Sequence, residues 1–239
     1  MSDLTPILAK TPVDRIEDVL ARIEEIDAAL PATDGIACFN KLYLQVTRNL
    51  LAAEQAGEFV SLTFLSVLDL AFGNLYFSAL KEMDSGGDSP AAWRPLFEAR
   101  SSTGIAPIQF ALAGMNAHIN RDMPVGLVRA FSSLGIEMTD PSPQHDDFER
   151  VNDVLAATEA QMHATYFTGM LAQLDKTFSG AEDVIAMWSV RKARELAWAN
   201  GEILWELRRQ PLFEDEYVTA LLDGGFGFAG RLLLQETAD

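Results

Sequence analysis

The stretch GIAPIQFALAGMNAHINRDMP, Gly104 to Pro124, has the apolar content of a buried helix yet carries Gln109, Asn116, His118, Asn120 and Asp122. Burying such a group costs roughly 1–3 kcal/mol unless it is hydrogen-bonded. Several in one helix predict a polar site inside an α-helical body. At 3.6 residues per turn, Gln109, Asn116 and Asn120 fall on one face, while His118 and Asp122, four apart, share another. A His–Asp pair at this spacing can hydrogen-bond along the helix. The carboxylate would fix the imidazole tautomer and raise its pKa, as a general acid or base requires. The bland alternative is a structural pair near a helix end, because Pro124 predicts that the helix finishes there and leaves Asp122 half-exposed.

Working outward, the helical period persists almost everywhere. It predicts helices over about 13–30, 35–56, 58–83, 107–123 and 124–134, long ones over about 147–178 and 180–209, and short ones near Trp93 and Glu214. Pro31, the loop DSGGDSP (Asp84 to Pro90) and TDPSPQHD (Thr139 to Asp146) punctuate them, and DGGFGFAG (Asp223 to Gly230) reads as a loop. No segment alternates with a β period. The expected fold is all-α, a single-domain multi-helix bundle of about eight to ten helices, with 1–12 and 223–239 at its periphery.

Composition narrows the function classes. The chain has 239 residues, 49% hydrophobic and 22% charged, which suits one sizeable core. Its 18 basic against 35 acidic residues give a net charge of −17, which argues against nucleic acid and anionic membrane as partners. A single cysteine, Cys38, allows no internal disulfide and no cysteine-based zinc site, so a cytoplasmic location is expected. Phe59 to Leu80 approaches membrane-spanning length. However, Asp69 at its centre, Asn74 and the lack of a basic flank predict a core helix instead.

Further polar residues fall on apolar stripes. Asp69 lies among Leu62, Leu65, Phe72 and Tyr76, where a lone carboxylate must find a partner (Arg100, Arg191 or Arg194) or take up a proton. In MWSVRKARELAWANGEILWELRR, Arg191, Glu195, Trp198, Glu202 and Trp205 form one stripe, and Asn200 sits within the opposite, leucine-rich one. Arg191, Glu195 and Glu202 are thus candidates for an internal network. Asn40 and Thr47 lie beside Phe39 and Tyr43.

GIACFNKLYLQVT (Gly35 to Thr47), FLSVLDLAFGNLYF (Phe64 to Phe77), the opening stretch and AMWSVRKARELAWANGEILWELR (Ala186 to Arg208) resemble a domain-of-unknown-function family familiar from actinobacterial proteins. The resemblance implies a single-domain soluble protein and carries over no functional residue.

Other chemistries are weaker. Glu159 and His163 share a helical face, as ligands do in helical di-iron proteins, and Asp69, His118, Glu195 and Glu202 could complete such a set. Only three histidines exist, so no metal and no cofactor is assigned. Asp146-Asp147-Phe148-Glu149 is similar to the magnesium motif of helical prenyl-diphosphate enzymes, but a charged helix start explains it better. The expected function is a small-molecule enzyme or binder for a largely apolar ligand held between helices. Phe39, Tyr43, Phe72, Tyr76 and Trp198 would form its wall. Asn40, Asn116, Asn120, Asn200 and Glu202 would add polar contacts. His118, Asp122 and Asp69 would carry any chemistry. The alternatives are a metal-dependent oxygenase and a non-catalytic interaction protein with a structural polar core.

Overall fold

In a computed structural model, residues 4–162 and 189–236 are described, with the side chains of 159–162 left aside. The helices are α1 (Thr5–Leu8), α2 (Ile16–Ala29), α3 (Gly35–Gln55), α4 (Leu62–Asp84), α5 (Arg94–Ala99), α6 (Pro107–Ala117), α7 (Met123–Leu134), α8 (Pro143–Met162), α9 (Val190–Leu207), α10 (Pro211–Glu216) and α11 (Phe226–Leu233). No strand occurs among the described residues, and the fold is an all-α multi-helix bundle. Two π-helical segments join neighbours into longer rods: His118–Asp122 between α6 and α7, and Tyr217–Gly225 between α10 and α11.

The α6–α7 rod is the axis of the bundle. Its first half packs on α3 and α11, and its second half on α4 and α9. Around it, α2 lies against α3 and α4, and α8 also packs on α3 and α4. Gly114 makes the α3–α6 approach possible, since a Cβ there would stand 2.4 Å from Cγ of Phe39. The core is aromatic: Trp93, Tyr76, Phe64, Phe77, Phe131 and Phe148 are all fully buried. Each such side chain contributes roughly 1.5–3 kcal/mol by leaving water.

Local chemistry explains the helix boundaries. Asp34 caps α3 by accepting the Ile36 N–H at 2.9 Å. Its other oxygen accepts from Nε of Arg100, also at 2.9 Å, so Arg100 is committed here. Gly135, at φ 65°, closes α7 in the left-handed conformation. Asp147 accepts from the backbone N–H groups of Val60 and Ser61 and from Arg150, so it holds the chain that leads into α4. That gives the acidic run at Asp146 a structural role. Among the described residues, α4 alone is long and apolar enough to cross a membrane, and Phe64, Leu65, Leu68, Tyr76 and Phe77 bury it in the core.

The described parts of both segments expected at the periphery pack on the body. Leu4 and Leu8 are buried, and α1 packs on α4. The glycine-rich tail is helical, because Gly227 and Gly230 let α11 close onto Ala91 and Pro95, within 2.7 and 3.2 Å of the positions a Cβ would take. Gln109 donates to the carbonyls of Leu233 and Gln235, and Asn116 to that of Phe226, tying α11 to α6.

Candidate functional site

Pro124 does not end the helix. A proline lacks the N–H that would bond four residues back and crowds that carbonyl. Here the rod widens by one residue: the Met123 N–H reaches the carbonyl of His118, five back, and Pro124 lies in the first turn of α7. Such π segments often mark functional sites. Asp122 is therefore fully buried, 0% exposed, and not half-exposed at an end.

The site is built on that π turn. Nδ1 of His118 lies 3.0 Å from Oδ2 of Asp122. The same oxygen accepts from Nε1 of Trp93 at 3.0 Å, and Oδ1 accepts from Nη1 of Arg121 at 3.0 Å. Nε of Arg121 donates onward to Asp223 at 3.2 Å, linking the two π segments. Trp93 and Arg121 can only donate, so Asp122 is the acceptor throughout. Nδ1 of His118 consequently carries the proton and Nε2 the lone pair. Nε2 is buried and has no hydrogen-bond partner among the described residues.

Aromatic rings enclose the imidazole. Phe72 stacks on it with centroids 3.4 Å apart and planes 9° apart, and Tyr43 meets it edge-on at 4.8 Å. Phe39, Tyr76 and Trp93 lie further out, with centroids 5.7–5.8 Å away. This burial pushes the His118 pKa below its ordinary 6.5, against the upward pull of Asp122. The expectation of a raised pKa is corrected: desolvation outweighs the carboxylate.

His118 lines a cavity of roughly 100 Å³ between α2, α3, α4, α6–α7, α8 and α9. Its walls are mainly apolar, with Asp69, Tyr43, Thr47 and Arg194 as the other polar contributors. Asp69, half-buried, has no hydrogen bond or ion pair among the described residues. Burial raises its pKa to about 8, helped by the negative Glu54 and opposed by Arg194. Asp69 therefore holds a proton at neutral pH where His118 does not. Environments that drive two groups apart in this way set up an acid and a base on the wall of one cavity.

Of the arginines considered as partners for Asp69, Arg194 is the one beside the cavity. It donates to Asn152 and to the Phe148 carbonyl, at 2.9 and 2.6 Å, and its guanidinium lies 3.9 Å over the Phe148 ring. Burial lowers its pKa to about 10, against the pull of Glu149 and Asp69, so it stays charged at neutral pH.

The structure thus brings His118, Asp122, Asp69 and Tyr43 together, with Phe39 and Phe72 as wall. The other candidates hold the fold. Asn40 donates to the Ile23 carbonyl and accepts from Tyr76, at 3.0 and 3.2 Å, behind the wall. Asn116 accepts from Asn120 at 3.2 Å and does not line the cavity. Asn200 accepts from Tyr217 at 2.8 Å, anchoring the second π segment. Trp198 donates to Glu202 at 3.2 Å and packs on Phe131, Phe148 and His145, so neither Trp198 nor Glu202 reaches the cavity. Arg191 and Glu195 are exposed, which removes the expected internal network. The inward face of α9 is instead Arg194, Trp198, Gly201 and Trp205, a spacing of four, three and four that was readable in the sequence. Trp93, which the sequence marked only as lying near a short helix, sits at the N-cap of α5 and carried no signal of a site role.

For metal chemistry, no three His, Cys, Asp or Glu side chains converge among the described residues. His163 and the side chain of Glu159 lie outside them.

Fold and site define an all-α bundle with a buried His–Asp pair beside an apolar cavity. The chain belongs to a family of unknown function, DUF5995, whose model matches residues 16–236. No curated protein and no solved structure matches it.

Proposed function

We propose that this protein is a small-molecule enzyme or binder that holds a largely apolar ligand in the interhelical cavity, with His118 as the proton-transfer group. The observation that carries this is the unpartnered Nε2 of His118. A buried acceptor left empty costs roughly 1–3 kcal/mol. Here it belongs to an imidazole whose opposite nitrogen is fixed by Asp122 and whose ring borders a cavity. No hydroxyl or thiol of the described residues bonds to Nε2, so we take the proton it accepts to come from a ligand or from water. Asp122 orients the ring and steadies the imidazolium that forms. Asp69 stands in the same cavity as a proton donor.

An internal cavity favours this function over a non-catalytic interaction protein with a purely structural polar core. We take the ligand as the principal partner. Nucleic acid is disfavoured by the −17 charge, and the single cysteine fits a cytoplasmic protein.

The test is a screen of small apolar molecules by NMR, with the methyls of Met115 and Met123 and Nε2 of His118 as reporters. Ligands that move the methyls should also move Nε2, and turnover of any converted ligand should vanish in His118→Phe. A cavity that admits no ligand, not even xenon, would overturn the proposal.

A further inference from the structure

We infer that the ligand is a small uncharged alcohol or phenol, whose hydroxyl donates to Nε2 of His118 and takes the Asp69 carboxyl as its second polar contact. This rests on the cavity assigned above and names the chemical class that the cavity accepts.

Size comes first. An engineered cavity of about 150 Å³ takes up benzene. The roughly 100 Å³ found here is smaller but partly open, so it suits a short alkyl chain or a single ring that extends into the opening. Polarity comes second. Nε2 offers only a lone pair, so it selects a ligand that brings a hydrogen. Ketones and ethers bring none. A carboxylate brings none either, and the one cation among the described lining residues, Arg194, is already engaged by Asn152, the Phe148 carbonyl and the Phe148 ring. An ammonium brings hydrogens, but also a charge that an apolar cavity penalises. A hydroxyl satisfies Nε2 without charge and keeps an oxygen free. Asp69, which lines the same cavity without a hydrogen-bond partner among the described residues, can donate to that oxygen. Phe72 and Asp69 stand three residues apart on α4, so the ring stacked on His118 and the second polar contact share a helix face.

The experiment is calorimetric titration of the full chain at pH 7 with phenol, toluene and benzoate. These probes match in ring and differ in the group offered to Nε2. Phenol should bind at least about tenfold tighter than toluene and than benzoate, the ratio expected of one good hydrogen bond. In His118→Phe the preference for phenol over toluene should disappear. Asp69→Asn, nearly isosteric, should weaken phenol while leaving toluene unchanged, and it keeps the test alive if the histidine variant does not fold. Toluene binding as tightly as phenol, or benzoate binding more tightly, would overturn the inference while leaving the cavity assignment standing. Failure of all three probes to bind would remove the cavity assignment and this inference with it.

Discussion

The imidazole of His118 lies flat on the ring of Phe72, with centroids 3.4 Å apart and planes 9° apart. That contact excludes water from one face of the base. With Tyr43 and Trp93 on other sides, it explains why desolvation prevails over Asp122 in setting the pKa. In Phe72→Ala, water should reach the imidazole and its pKa should climb toward 6.5. Stability should fall by about 3 kcal/mol, the lower end for a buried phenylalanine, because the site already borders a cavity. An NMR titration of His118 and a denaturant curve read both. An unmoved pKa would mean that Phe72 does not shield the ring.

Asp122→Asn should change the histidine as well as the stability. Replacing the buried carboxylate leaves Arg121, at 13% side-chain exposure, with Asp223 as its remaining charge partner, so the loss should stay below the roughly 3–5 kcal/mol of a fully broken buried pair. With the amide oxygen turned to Arg121, the amide N–H faces Nδ1 of His118. The imidazole proton should then move to Nε2, blocking its lone pair. Nitrogen-15 NMR distinguishes the two tautomers directly. Retention of the Nδ1–H form would show that Asp122 does not fix the ring.

Gly114→Ala sets two effects against each other. Alanine improves helix propensity by about 1 kcal/mol. Its Cβ would lie 2.4 Å from Cγ of Phe39, whose ring is held by Tyr76, Trp93 and Tyr43 and cannot retreat. Overpacking costs roughly 1–3 kcal/mol, so the variant should be less stable than wild type in thermal melts. A higher melting temperature would mean that α3 and α6 separate more easily than their packing implies.

Stability should decline as pH rises above about 6.5, whereas just below it the Asp69 and His118 contributions run in opposite directions and offset each other. The folded pKa of Asp69, about 8, lies above the ordinary 3.8, so the folded chain keeps a proton that the unfolded chain has released, and stability is lost as pH rises toward 8. The folded pKa of His118 lies below 6.5, so the unfolded chain binds that proton more readily, and the stability this group contributes is lost as pH falls below 6.5. Between pH 6.5 and about 8 the Asp69 contribution acts without that of His118. The wild type should lose up to ~2 kcal/mol across this window, at 1.36 kcal/mol per pH unit and proton. Asp69→Asn should flatten the decline in denaturant curves taken at several pH values. An unchanged slope would assign it to another group.

The sequence carried the helical period, the opening of α6 at Pro107 and the four-residue spacing of His118 and Asp122, because each is a local property. The π turn was hidden. Pro124 announces only a missing N–H, and whether a helix stops or widens there depends on what can bury Asp122. That information sits in Trp93 and Arg121, the former 29 residues away in the chain. Gln109 and Asn116 looked like site residues for the same reason. Their acceptors lie on α11, more than a hundred positions on, and a buried amide reads alike whether it meets a ligand or a carbonyl. In the sequence the glycines of α11 read as helix breakers. Against Ala91 and Pro95 they are the residues that let the helix pack. Arg194 was visible on the inward stripe of α9, but the neighbouring Arg191–Glu195 pattern, which is an exposed face, offered an equally regular alternative.

The central claim is that His118 is a neutral base whose Nε2 is free for a ligand. Nitrogen-15 NMR of the His118 ring in the full chain, from pH 5 to pH 9, tests it most directly. The account predicts a single Nδ1–H tautomer at pH 7, with protonation of Nε2 only below pH 6.5. An Nε2–H tautomer, or an imidazolium persisting at pH 7, would contradict it.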